Sequence, residues 1–194
     1  WQTNLVLLPG VAVLTYFYGL GFLQNLLIAI PTGFALEIFA LRLRGRVWRA
    51  PVVDGSVTLT CALIALAAPP ALSPVALIFA TGCAVLLAKH AFGGVGRNLF
   101  NPAMVGYALA LISFPQAFAV WPIPADGVTA ATALDAIKTL DGQTMAEARL
   151  ADYGFGRYGG YAAEQAGLTF ALGGVYLVWK KLAAWRVTAA FLLA

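Results

Sequence analysis

Asp126-Gly127-Val128-Thr129-Ala130-Ala131-Thr132 is the stretch whose residue types and spacing could most directly carry chemistry. It opens the longest polar interval of an otherwise apolar chain. Its residues are mostly small, so the backbone is accessible and Thr132 can present its hydroxyl uncrowded. The same residues suit a plainer role. Asp126 or Thr129 would serve as N-cap to a helix beginning Ala-Ala-Thr-Ala-Leu, since a short oxygen-bearing side chain satisfies the first free N–H groups of a helix. Taken alone, the stretch reads as that helix start.

Other reactive groups are sparse. Glu37 and Asp54 lie within or beside apolar runs, where a carboxylate is usually paired or functional, and both are candidates for acids near an ion path. For Asp54 an N-cap role before Ser56 competes and is favoured. Cys61 and Cys83 sit in apolar runs with no CxxC spacing, which reads as buried thiols and not metal ligands. His90 is the only histidine, so the chain by itself holds no multi-histidine metal site and no haem with two histidine ligands. Gly94-Val95-Gly96 lacks the third glycine and the βαβ setting of a dinucleotide fingerprint. Asn101-Pro102-Ala103 resembles one aquaporin signature, but asparagine as N-cap followed by proline is a general helix start. A helix N-terminus facing a glycine-rich link can also bind an anion such as a phosphate.

The elements that must position these groups are membrane helices. The chain has 194 residues, 61% hydrophobic and 10% charged, with mean hydropathy +0.84. So few charges cannot coat a water-exposed globule, and the composition predicts an integral, all-α, polytopic helix bundle. The pattern forms a single membrane domain over 1–194, expected to be incomplete at both ends, with no signal peptide visible. Spans are predicted over Leu5–Leu20, Phe22–Leu41, Ser56–Ala68, Pro74–Leu87, Asn101–Phe118 and Tyr161–Trp179, with a seventh beginning at Trp185. The third is short and ends at Pro69-Pro70, as in an interrupted helix.

Nine of the 12 basic residues fall in the loops after the second, fourth and sixth spans. The net charge of +4 therefore reports topology and not nucleic-acid binding. The interval Trp121–Gly160 holds three basic residues against five acidic ones. The positive-inside bias places the basic loops in the cytoplasm and the 119–160 loop outside.

Lys89-His90-Ala91-Phe92-Gly93-Gly94-Val95-Gly96-Arg97-Asn98-Leu99-Phe100-Asn101-Pro102-Ala103-Met104-Val105-Gly106-Tyr107, with Leu111-Ile112-Ser113-Phe114-Pro115 after it, strongly resembles the NqrB/RnfD family. The RnfD side is the closer match, favoured by Ser113-Phe114-Pro115 and Leu134-Asp135-Ala136-Ile137-Lys138. Asp54-Gly55-Ser56 with Pro69-Pro70, and Leu172-Gly173-Gly174-Val175-Tyr176-Leu177 with Trp185-Arg186, fit the same family.

The resemblance changes the reading of the opening stretch. It implies a flavin attachment motif in which Asp126, Thr129 and Ala131 are recognised and Thr132 is esterified to the phosphate of FMN by a flavin transferase. Ala130 stands where glycine is commoner. Near the last complete span, Gly160-Tyr161-Ala162-Ala163-Glu164 keeps only the first glycine and the glutamate of the family's pattern. The resemblance further implies a subunit of a bacterial inner-membrane complex, passing electrons between reduced ferredoxin and NAD and coupled to Na⁺ or H⁺ movement. It also implies a non-covalent riboflavin, with no residues assigned. The alternatives are an NqrB-type subunit of a Na⁺-pumping NADH:quinone reductase, a solute channel or carrier, and a scaffold for partner subunits.

Overall fold

The computed structural model describes residues 1–46, 54–94, 96–122, 129–130, 160–186 and 189. Helices α1 (Gln2–Tyr18) and α2 (Gly21–Leu43) form a hairpin turned at Gly19, whose φ of 73° suits a residue without Cβ. Helix α3 spans Ser56–Ala67 and α4 Pro74–Gly82, and α4 runs on without a break as a π-helix over Cys83–His90. Helix α5 covers Pro102–Ser113, the short α6 Pro115–Ala119, and α7 Gly160–Trp179. Helical backbone resumes at Trp185 and Arg186.

Local chemistry sets most of these boundaries. Ser73 caps α4 by accepting from the Ala76 N–H, and Asn101 caps α5 by accepting from the Ala103 N–H at 2.9 Å. Each helix then begins with proline, whose missing N–H costs nothing at that position. Helix α3 stops where Pro69 follows. The Ala65 carbonyl would bond the N–H of residue 69, and proline has none. Buried Asn25 on α2 supplies the substitute: its Nδ2 donates to the carbonyls of Ala65 at 3.2 Å and Pro69 at 2.8 Å.

The packing uses small residues at every close approach. The core joining α2, α3, α4, the π-helix and α5 is mostly alanine, with Val57, Cys61, Ile64, Leu77 and Val85. A Cβ on Gly33 would strike Cys61 Sγ, one on Gly106 the Ala80 carbonyl, and one on Gly173 the Val6 side chain. Such approaches let backbones pack closely where water gives no hydrophobic drive. Outward faces stay apolar, with Leu5, Leu8, Leu27, Leu111, Ile112 and Leu172 among the exposed side chains.

Helices stand where the spans were expected, with two differences. The fifth divides at Phe114, because Pro115 starts a separate short helix. The fourth ends in π geometry instead of a plain α-helical terminus. Among the described residues only Gly21–Leu43 is long and apolar enough to cross a membrane alone. Helices α3 and α5 have 12 residues each, about 18 Å of rise against a hydrocarbon core of roughly 30 Å. The count of six spans therefore stays a proposal.

Candidate functional site

The expected attachment stretch is described only in part. Thr129–Ala130 forms a two-residue strand, β2, paired antiparallel with β1, Trp121–Pro122, in the register Trp121↔Ala130 and Pro122↔Thr129. This small bridge is the only strand pairing among the described residues and departs from an all-helical expectation. Asp126, Ala131 and Thr132 lie outside the described residues. Glu164 falls inside α7.

A second group of residues is fully described, at the opposite end of the bundle. Glu37 on α2 and Lys89 on the π-helix are 1% and 2% exposed. Lys89 Nζ donates to Glu37 Oε1 and Oε2, both at 2.9 Å, and to Ser56 Oγ on α3 at 2.9 Å. Three bonds use all three ammonium protons. His90 Nε2 also lies 2.9 Å from Glu37 Oε2, without hydrogen-bond geometry. Arg44 donates to the His90 carbonyl, which also accepts from the Gly93 N–H at 3.0 Å, placing a cation at the negative end of the π-helix. The wider π turn lets the adjacent Lys89 and His90 both face inward. π segments of this kind recur at functional sites.

This arrangement revises the reading of the two acids. Glu37 is a neutralised, hydrogen-bonded carboxylate, and a mobile cation could reach it only by displacing Lys89. Asp54 is not the N-cap, a place taken by Gly55 in the left-handed conformation; its Oδ1 accepts from the Ser56 N–H at 2.7 Å from one residue further out, on an exposed face. Cys61 and Cys83 are buried thiols. No cluster of three or more metal-binding side chains occurs among the described residues.

Beside the cluster opens a cleft of about 430 Å³. Ser56, Lys89, Asn98 and Asn101 supply its polar wall, and Leu59, Leu63 and Phe100 are among its apolar residues. Asn98, with its amide oriented to donate, bonds the carbonyls of Gly94 at 2.8 Å and Lys89 at 3.3 Å, fixing the glycine-rich link to the π-helix. The N-termini of α3 and α5 both begin in this wall, at Ser56 and Pro102. Both present the positive ends of their dipoles there. The sequence offered the Asn101-Pro102 helix start as a place where an anion could bind, without placing Ser56 and Lys89 in the same cleft. The available signal was a lysine and a histidine closing an apolar run one helix away from a lone glutamate.

All 194 residues match the family described as NQR2, RnfD, RnfE. The chain belongs to that family. Among its relatives is the D-type subunit of the ion-translocating oxidoreductase complex of Pseudomonas paraeruginosa, 40% identical over 92% of this chain and 57% of that protein. The corresponding protein of Ectopseudomonas mendocina is 37% identical over 100% of the chain and 62% of its own length. That of Aeromonas hydrophila is 35% identical, over 97% and 64% respectively. The chain thus spans about three fifths of the length of these curated NQR2/RnfD/RnfE relatives.

Proposed function

We propose that the chain is part of a membrane subunit of an ion-translocating oxidoreductase complex, and that it carries electrons through FMN esterified to Thr132. The observation that carries the reading is the family match along the whole chain, together with the motif Asp126–Thr132. The relatives are named as the D-type component of an ion-translocating oxidoreductase complex, which favours this assignment over an NqrB-type subunit. Neutralisation of Glu37 by Lys89 counts against the channel or carrier. It removes the one buried acid among the described residues that a solute path would use.

Bound FMN supplies one- and two-electron chemistry that no side chain here offers. The protein contributes the attaching hydroxyl of Thr132. Asp126, Thr129 and Ala131 form the stretch that a flavin transferase would recognise. Partner subunits supply and remove the electrons, and the coupled ion is Na⁺ or H⁺.

The packing supports the proposed orientation. Asn4 bonds the Gly55 carbonyl, Glu37 meets Lys89 and Ser56, and Arg44 meets His90, so these segments share one end. Gly21 and Ala71 meet at the other, which α5 also approaches as it runs up to β1. All eight described basic residues, Arg42, Arg44, Arg46, Lys89, Arg97, Lys180, Lys181 and Arg186, lie at or near the first end. That clustering favours a cytoplasmic first end in a bacterial inner membrane, with the Thr132 loop outside.

In preference to the equally large and more apolar groove between α1 and α7, we assign the non-covalent riboflavin to the cleft beside Lys89. Its volume lies within the usual range for small-molecule pockets, about 300–1,000 Å³, and it pairs an apolar floor with convergent polar groups. In the proteolysed full-length protein, the peptide containing Thr132 should carry the mass of FMN. An unmodified peptide from cells making the transferase would remove the redox reading from first place.

A further inference from the structure

The geometry points to Lys89 as the residue that sets the charge of the cleft, so that a ligand there is held more tightly in its reduced, negatively charged form. The inference rests on the reading of the cleft as a flavin site. Lys89 and Ser56 line the cleft, whereas Glu37 and His90 do not. The pair is neutral in total, but its positive pole lies on the cleft side and its negative pole behind. With all three ammonium protons committed to Glu37 and Ser56, Lys89 acts through its field and not by donating to the ligand.

Two further terms have the same sign. The N-termini of α3 and α5 both begin in the cleft wall, each carrying roughly half a positive charge. Among the described residues, no carboxylate lines the cleft. The nearest in sequence, Asp54, binds the Ser56 N–H on an exposed face, where solvent screens it. An oxidised flavin that takes up one electron without a proton gains one negative charge. The field of Lys89 and the two helices favours that product. Burial strengthens it, because Lys89 is almost completely removed from water.

The test is a potentiometric titration, with mediators and dithionite, of the non-covalent flavin in the purified complex. Lys89→Met removes the near pole and leaves Glu37 uncompensated. It should lower the reduced-to-oxidised ratio at a fixed potential at least tenfold, a shift of about 59 mV for a one-electron couple. Glu37→Gln leaves Lys89 uncompensated and should shift the potential the opposite way. The double variant Lys89→Met/Glu37→Gln buries no unpaired charge, so it serves if either single variant fails to assemble. Its potential should still fall, by less than that of Lys89→Met. Potentials unchanged, or moved in one direction by both single variants, with flavin still bound, would overturn the inference. Leu63→Trp checks the underlying reading by filling the cleft. It should expel the non-covalent flavin and leave the Thr132-linked flavin in place, and retention of both would show that the cleft is not the flavin site.

Discussion

Individual side chains do unequal work at the two ends of the bundle. Glu37 sits behind two hydrogen bonds from Lys89 and a contact with His90, so Glu37→Gln strands a buried ammonium. Breaking a buried pair of this kind costs about 3–5 kcal/mol, and thermal unfolding in detergent should show a large loss. Asp54→Asn should be nearly silent in the same assay, since the asparagine Oδ1 can accept from the same exposed Ser56 N–H. If both substitutions leave electron transfer and ion pumping intact, neither acid belongs to an ion path. Asn25 had no mark in the sequence beyond being polar inside an apolar run. Its role appears only once Pro69 is seen to leave the Ala65 carbonyl without a donor. Asn25→Ala should cost about 1–3 kcal/mol, the usual penalty for an orphaned buried polar group, measured by the same unfolding curve. A cost near zero would mean that water replaces the amide.

At the scale of elements, the helix starts were legible and the helix interiors were not. Ser73-Pro74 and Asn101-Pro102 announce their helices because a side-chain acceptor followed by proline satisfies or removes the first N–H groups. The π-helix over Cys83–His90 left no such trace. It depends on what Lys89 and His90 meet across the bundle, and that partner is 52 residues away in sequence. The division of the fifth span at Phe114 was visible as Pro115, yet the continuing apolar pattern concealed it. Close helix approach was equally hidden. Gly106 looks like one glycine in an apolar run, but an added Cβ would strike the Ala80 carbonyl and Ala84. Backbone cannot rotate aside as a side chain can, so Gly106→Val should separate α5 from α4 and cost at least about 1–3 kcal/mol. An unchanged unfolding temperature for that variant would contradict the packing.

For the whole molecule, composition sufficed for a mostly helical protein of membrane type, and the alternation of charge for the gathering of the described basic residues near one end. The length of α3 followed from Pro69-Pro70, but that of α5 did not, because Pro115 starts a separate helix inside the expected span. A single cysteine in place of Arg44 should react in intact cells only with membrane-permeant thiol reagents, whereas one at Gln143 should react with impermeant reagents as well. The reverse pattern would place the Thr132 loop in the cytoplasm. The candidate attachment site was legible only through its resemblance to a family motif. Nothing in the residue types alone separates an esterified threonine from a capping one. The deciding measurement is therefore in-gel fluorescence of the denatured protein made alongside an active flavin transferase. Denaturation strips any flavin held by stacking and hydrogen bonds, so a band that survives reports a covalent link. The account predicts a fluorescent band in the wild type, its loss in Thr132→Ala with membrane insertion unchanged, and a weaker band in Thr129→Ala. A wild-type band without fluorescence, or one that persists in Thr132→Ala, would contradict it.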